Sequence, residues 1–100
     1  MDDGALETAL AEWAHKQREP LAKRGVQLEL DGPFDPVGMD PVYLLRLRGS
    51  GNEAEASLFR GGTLLLATFD DAATEVRESH IEAVMAADVT AALSALADSV

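Results

Sequence analysis

Between residues 4 and 24, Leu6, Leu10, Trp13, Ala14 and Leu21 recur at near-helical spacing with charged residues between them, which predicts an amphipathic helix whose apolar stripe faces a sheet. Pro20 lacks an amide proton and its ring crowds the preceding turn, so the helix is expected to end or kink near Glu19. Gly25 suits the cap of any last turn through Lys23 and Arg24. The pattern then changes period. Val26-Gln27-Leu28-Glu29-Leu30 alternates strictly, as a half-buried strand does, with Val26, Leu28 and Leu30 inward. Residues 31–41 carry three prolines and two glycines and read as a loop anchored by Phe34 and Met39.

A second alternating strand follows, with Tyr43, Leu45 and Leu47 inward and Leu44, Arg46 and Arg48 outward. Gly49-Ser50-Gly51-Asn52 is a turn signal into a third strand, in which Ala54, Ala56 and Leu58 face inward and Glu53, Glu55 and Ser57 face water. A hairpin closed there sets Arg46 and Arg48 across from Glu53, Glu55 or Ser57, and opposite charges pin its register. Gly61-Gly62 makes the next tight turn. Residues 63–69 are the most continuously apolar stretch and are expected to form a central strand. Residues 74–81 hold Glu75, Arg77, Glu78 and His80 and read as a polar edge strand, where charge discourages pairing with another chain. Asp88 is expected to cap a final helix with Val89, Leu93, Leu96 and Val100 on its apolar face.

The expected architecture is therefore α+β: an N-terminal helix, a four- to five-stranded antiparallel meander and a C-terminal helix, with both helices on one face of the sheet. The 100 residues have the size of one domain, residues 1–100, and 47% hydrophobic with 26% charged residues is an ordinary globular composition. No apolar run approaches bilayer length, the first residues are acidic where a signal peptide is basic, and there is no cysteine. A cytoplasmic location is the expectation.

Charge narrows the choice of partners. The formal net charge is -10, and its placement is uneven. Residues 1–12 contribute -4, residues 13–60 are neutral, and residues 61–100 contribute -6. Phosphate backbones and anionic lipid are disfavoured by that sign, which excludes nucleic acid and membrane as expected partners and favours a basic protein surface. An acidic surface that merely keeps a small domain soluble is the plainer reading.

Candidate chemistry is sparse. His15 and His80 have no second ligand at metal spacing, so no metal site is expected. Asp70-Asp71 follows a strand and reads as a turn rather than a carboxylate pair. Ser57, Ser79 and Ser94 lie in no nucleophile-elbow pattern, and Gly49-Ser50-Gly51 lacks the lysine and helix of a phosphate cradle. No catalytic or cofactor-binding residue is assigned, and an enzyme is not expected. Trp13, on the helix stripe, is read as core. Phe59, one residue past inward Leu58, is expected on the open sheet face alongside Arg46 or Arg48, the composition of an interface anchor; cover by the Phe34 loop is the alternative.

Several of these segments together resemble one family. The helix with Trp13, the run Gly25-Val26-Gln27-Leu28-Glu29-Leu30, the Pro33-Phe34-Asp35-Pro36 loop, the Leu58-Phe59-Arg60-Gly61-Gly62 turn and the polar strand around Ser79-His80 are similar in size and order to the TriTu-type small immunity proteins. The resemblance implies a non-enzymatic cytoplasmic inhibitor that neutralises a cognate toxin, typically an ADP-ribosyltransferase, by covering its active site. It carries over no inhibitory residue by motif.

Partner-binding residues are therefore assigned by surface reasoning: Phe34 and Phe59 as apolar anchors, Arg46 and Arg48 beside them, and Glu75, Glu78 and Glu82 as the acidic surface that meets a basic cleft. Two other classes stand against this reading. A small acidic secretion chaperone would dimerise and hold an extended effector segment. A hydrolytic enzyme would use Asp70, Glu78 and His80. The sequence leaves monomer or dimer open.

Overall fold

The computed structural model describes residues 4–34, 41–70, 75–83 and 85–100. Helix α1 (Ala5–Lys23) is followed by strands β1 (Gln27–Asp31), β2 (Tyr43–Arg48), β3 (Asn52–Leu58), β4 (Thr63–Asp70) and β5 (Glu75–Glu82), and helix α2 (Ala86–Asp98) closes the order. The strands form one antiparallel meander in the spatial order β1-β2-β3-β4-β5. Both helices pack on the same face, as the alternation in the strands requires: with one face apolar, one layer of helices is enough to cover it.

Leu10, Trp13, Ala14 and Leu21 of α1 and Val89, Leu93, Leu96 and Ala97 of α2 are buried. They meet Tyr43, Leu45 and Leu47 of β2, Ala54, Ala56 and Leu58 of β3, and Leu64 of β4 in one apolar cluster. Each fully buried leucine contributes about 1.5–3 kcal/mol through surface removed from water. The core is built of aliphatic side chains, with Trp13 and Tyr43 as its aromatic members.

Three details differ from the sequence reading. Helix α1 does not end at Glu19, one of the two outcomes expected of Pro20, but runs on to Lys23 within the expected span 4–24, with Gly25 just past its cap at a φ of 79°. Pro20 is exposed, so the backbone acceptor it leaves unmatched lies toward water, while Leu21 is buried in the core and the Val26 amide donates back to the Leu21 carbonyl at 2.9 Å. Burial of Leu21 outweighs one lost helical hydrogen bond. Helix α2 begins two residues before Asp88, and Asp88 caps from inside the first turn, its carboxylate accepting the Met85 amide at 3.0 Å. Finally, β4 is an interior strand, second from the β5 edge rather than the middle one. Of its apolar run Leu64 is the residue that is fully buried, and Leu65 is 38% exposed.

The loops are set by hydrogen bonds at their ends. The Gly49 amide donates to the Asn52 carbonyl at 2.8 Å, closing the β2–β3 hairpin at the expected turn. In the β3–β4 turn the Phe59 amide donates to Thr63 and the Gly62 amide to Phe59. Gly62 has a φ of 98° and is buried against the Ala83 carbonyl and Leu6, so a side chain there has neither a relaxed backbone nor space. Met39, Asp71 and Thr74, which the sequence reading placed in loops or at a strand end, lie outside the described residues. Among the described residues no helix is long and apolar enough to cross a membrane.

Candidate protein-interaction surface

Because α1 and α2 share one side of the sheet, the other side is uncovered by any described element. Its composition follows from strand alternation and the observed register. One cross-strand row runs Gln27, Arg48, Glu53, Phe69, Val76; the next runs Glu29, Arg46, Glu55, Ala67, Glu78; a third runs Asp31, Leu44, Ser57, Leu65, His80. The β1–β3 half of this face is charged and the β4–β5 half carries an apolar strip.

The charged half is an alternating ladder. Arg46 lies 3.9 Å from Glu29 and 3.8 Å from Glu55, and Arg48 lies 3.9 Å from Glu29 and 3.4 Å from Glu53. Arg46 and Arg48 therefore face the open side as expected and stand opposite Glu55 and Glu53. Their guanidinium groups are occupied within the chain, so they position the face more than they offer free cations to a partner. With the side chains 37–52% exposed, each pair is worth well under about 1 kcal/mol.

The apolar half is built by β4 and β5. Leu65, Ala67 and Phe69 follow one another at two-residue spacing along β4, and Val76 stands directly opposite Phe69. Val76 is 57% exposed and Leu65 38%. These residues, with Leu44 on β2, were not singled out from the sequence. The signal was present in residues 63–69: an interior strand with unbroken apolar character in a sheet with one covered face must turn half of it to the other face.

Register also decides where the remaining candidates stand. Phe59 is half-buried just beyond the end of β3, four residues from Glu55, the partner of Arg46. At about 3.3 Å per residue that is about 13 Å, so the expected neighbourhood of Phe59 with Arg46 or Arg48 does not form. Phe34 is 45% exposed and lines an open groove with Leu6 and Glu7 of α1, Tyr43, Gly62 and Met85. Phe59 is not part of that lining. One carboxylate oxygen of Glu7 is buried there without a hydrogen-bond partner among the described residues. Cover of Phe59 by the Phe34 loop turns on residues 35–40, which lie outside the described residues.

The glutamates of β5 are all exposed but face different ways. Glu78 and Glu82 are on the open face, opposite Ala67 and Thr63, whereas Glu75 lies on the helix side, 2.9 Å from Arg77. Glu82 accepts the Thr63 hydroxyl at 2.9 and 3.1 Å. Glu78 has no ion-pair or hydrogen-bond partner among the described residues. Asp70, paired with Glu75 at one end of the hairpin, is on the opposite face from Glu78 and His80 and five residues along from the latter, so those three side chains do not assemble into a hydrolytic site. Among the described residues no group of three or more potential ligands is arranged to hold a metal ion.

Comparison of the chain with protein-family models, with curated proteins and with solved structures finds no match.

Proposed function

We propose that this chain is a non-enzymatic inhibitor of the immunity-protein type, which binds a cognate secreted toxin and neutralises it by covering its active site. The observation that supports this reading is the uncovered sheet face, where an apolar strip of Leu65, Phe69 and Val76 adjoins an ion-paired ladder on a chain of net charge -10. Exposed apolar side chains beside a polar, charged zone are the composition of a protein interface, and the acidic surplus speeds encounter with a basic cleft. The resemblance of its segments to TriTu-type immunity proteins supports an ADP-ribosyltransferase as the toxin and the cytoplasm as the place of action.

A secretion chaperone is the second reading, favoured by strand β5, whose residues are all exposed except Ile81. The two are separated by purifying the tagged protein from its own organism, identifying the partner and assaying it. The inhibitor reading expects a one-to-one complex with a toxin domain whose transfer of ADP-ribose stops on binding, and whose inhibition is lost with the Leu65→Glu, Val76→Glu double variant. A dimer of this chain holding an extended effector segment, or a complex in which the partner stays active, overturns it.

A further inference from the structure

Strand β5 has a neighbour on one side only among the described residues, and the ladder determines which of its backbone groups are left over. The Ala83 amide donates to the Gly62 carbonyl, and the Phe59 amide to the Thr63 carbonyl. In an antiparallel ladder hydrogen-bonding residues alternate. With the β4–β5 register this directs the backbone of Glu75, Arg77, Ser79 and Ile81 at β4. The amides and carbonyls of Val76, Glu78, His80 and Glu82 consequently point away from the sheet. The same four residues carry the side chains that β5 contributes to the open face.

We propose that β5 is a docking edge for an extended basic strand of the partner protein, which adds to the meander as a sixth strand; the proposal rests on the protein-binding reading above and specifies its mode of contact. The occupant follows from charge. The open-face row of β5 carries Glu78 and Glu82 with His80 between them and no lysine or arginine, and Arg77 lies on the other face, held by Glu75. An incoming strand with lysine or arginine beside Glu78 and Glu82 and an apolar residue beside Val76 gains cross-strand pairs along its length and extends the Phe69–Val76 strip. A second copy of this chain brings its own acidic β5 and its own net charge of -10 instead. Charged edges normally prevent indiscriminate pairing; here they also select the sign of the strand that is admitted. Strand β1, with five residues, offers a shorter edge.

The test uses the full-length protein and two capped nonapeptides, one alternating lysine and valine and one alternating glutamate and valine. Residue-resolved amide exchange is expected to slow at least tenfold at Val76, Glu78, His80 and Glu82 with the lysine peptide and not with the glutamate peptide. The Glu78→Lys, Glu82→Lys double variant reverses that preference. His80→Pro removes one outward amide without touching the β4 ladder, a position where an edge strand tolerates proline, and is expected to abolish peptide binding. The exchange measurement on the unmodified protein keeps the test decisive if that variant fails to fold. Binding of the lysine peptide without protection of those four amides, equal binding of both peptides, or a dimer already protected at β5 overturns the proposal. Toxin inhibition that depends on Leu65 and Val76 while β5 accepts no strand leaves the inhibitor reading standing and removes this one.

Discussion

The indole Nε1–H of Trp13 donates to the hydroxyl of Ser94 at 3.2 Å, joining two helices whose bonded residues are 81 positions apart. Together with the hydrogen bond from Arg24 to the Ala97 carbonyl, 3.3 Å, this contact fixes α1 against α2 over the apolar face of the sheet. Ser94→Ala removes the acceptor and is expected to cost about 1 kcal/mol, whereas Trp13→Ala opens a cavity and costs about 3–5 kcal/mol. Urea unfolding of the two variants and of the pair together measures both terms. Equal losses from the two single variants contradict the assignment of Trp13 to the core.

Adjacent glycines in the β3–β4 turn are expected to respond differently to the same change. Gly61 and Gly62 both have positive φ, 88° and 98°, but a Cβ at Gly61 meets open space while one at Gly62 runs into the Ala83 carbonyl and Leu6. Gly61→Ala carries the left-handed backbone penalty of about 1–2 kcal/mol. Gly62→Ala adds overpacking and is expected to cost about 3 kcal/mol or more. Thermal unfolding distinguishes them, and similar melting temperatures would remove the close packing of Gly62 from the account.

Much of this fold is legible from residue pattern because local and global requirements agree. Strict alternation in residues 26–30 and 43–48 places the inward side chains, and the Gly49–Asn52 turn sets a register in which Arg46 meets Glu55 and Arg48 meets Glu53. What pattern missed depends on tertiary context. Pro20 signals a break, but burial of Leu21 carries the helix onward. The apolar character of residues 63–69 signals burial on both sides, yet among the described residues only one face of the sheet has helices over it. The surface strip of Leu65, Phe69 and Val76 comes from that mismatch. Phe59 is grouped with Arg46 and Arg48 by composition alone, and register sets it four residues along from the partner of Arg46.

The Arg46 and Arg48 ladder is expected to matter little to folding. Arg46→Ala should destabilise by well under about 1 kcal/mol, and by less still at 1 M salt, where screening shortens to about 3 Å. Denaturant midpoints at low and high salt measure this. A salt-insensitive loss of several kcal/mol would mean that the aliphatic stem of Arg46, not its charge, holds the open face.

Amide exchange of the purified partner complex, compared with the free protein, tests the central claim most directly. Protection concentrated on β4 and β5, strongest at Val76, Glu78, His80 and Glu82, with α1 and α2 unchanged, is the expected result. Protection confined to α1, α2 or the groove beside Phe34, with β5 exchanging as in the free protein, would contradict it.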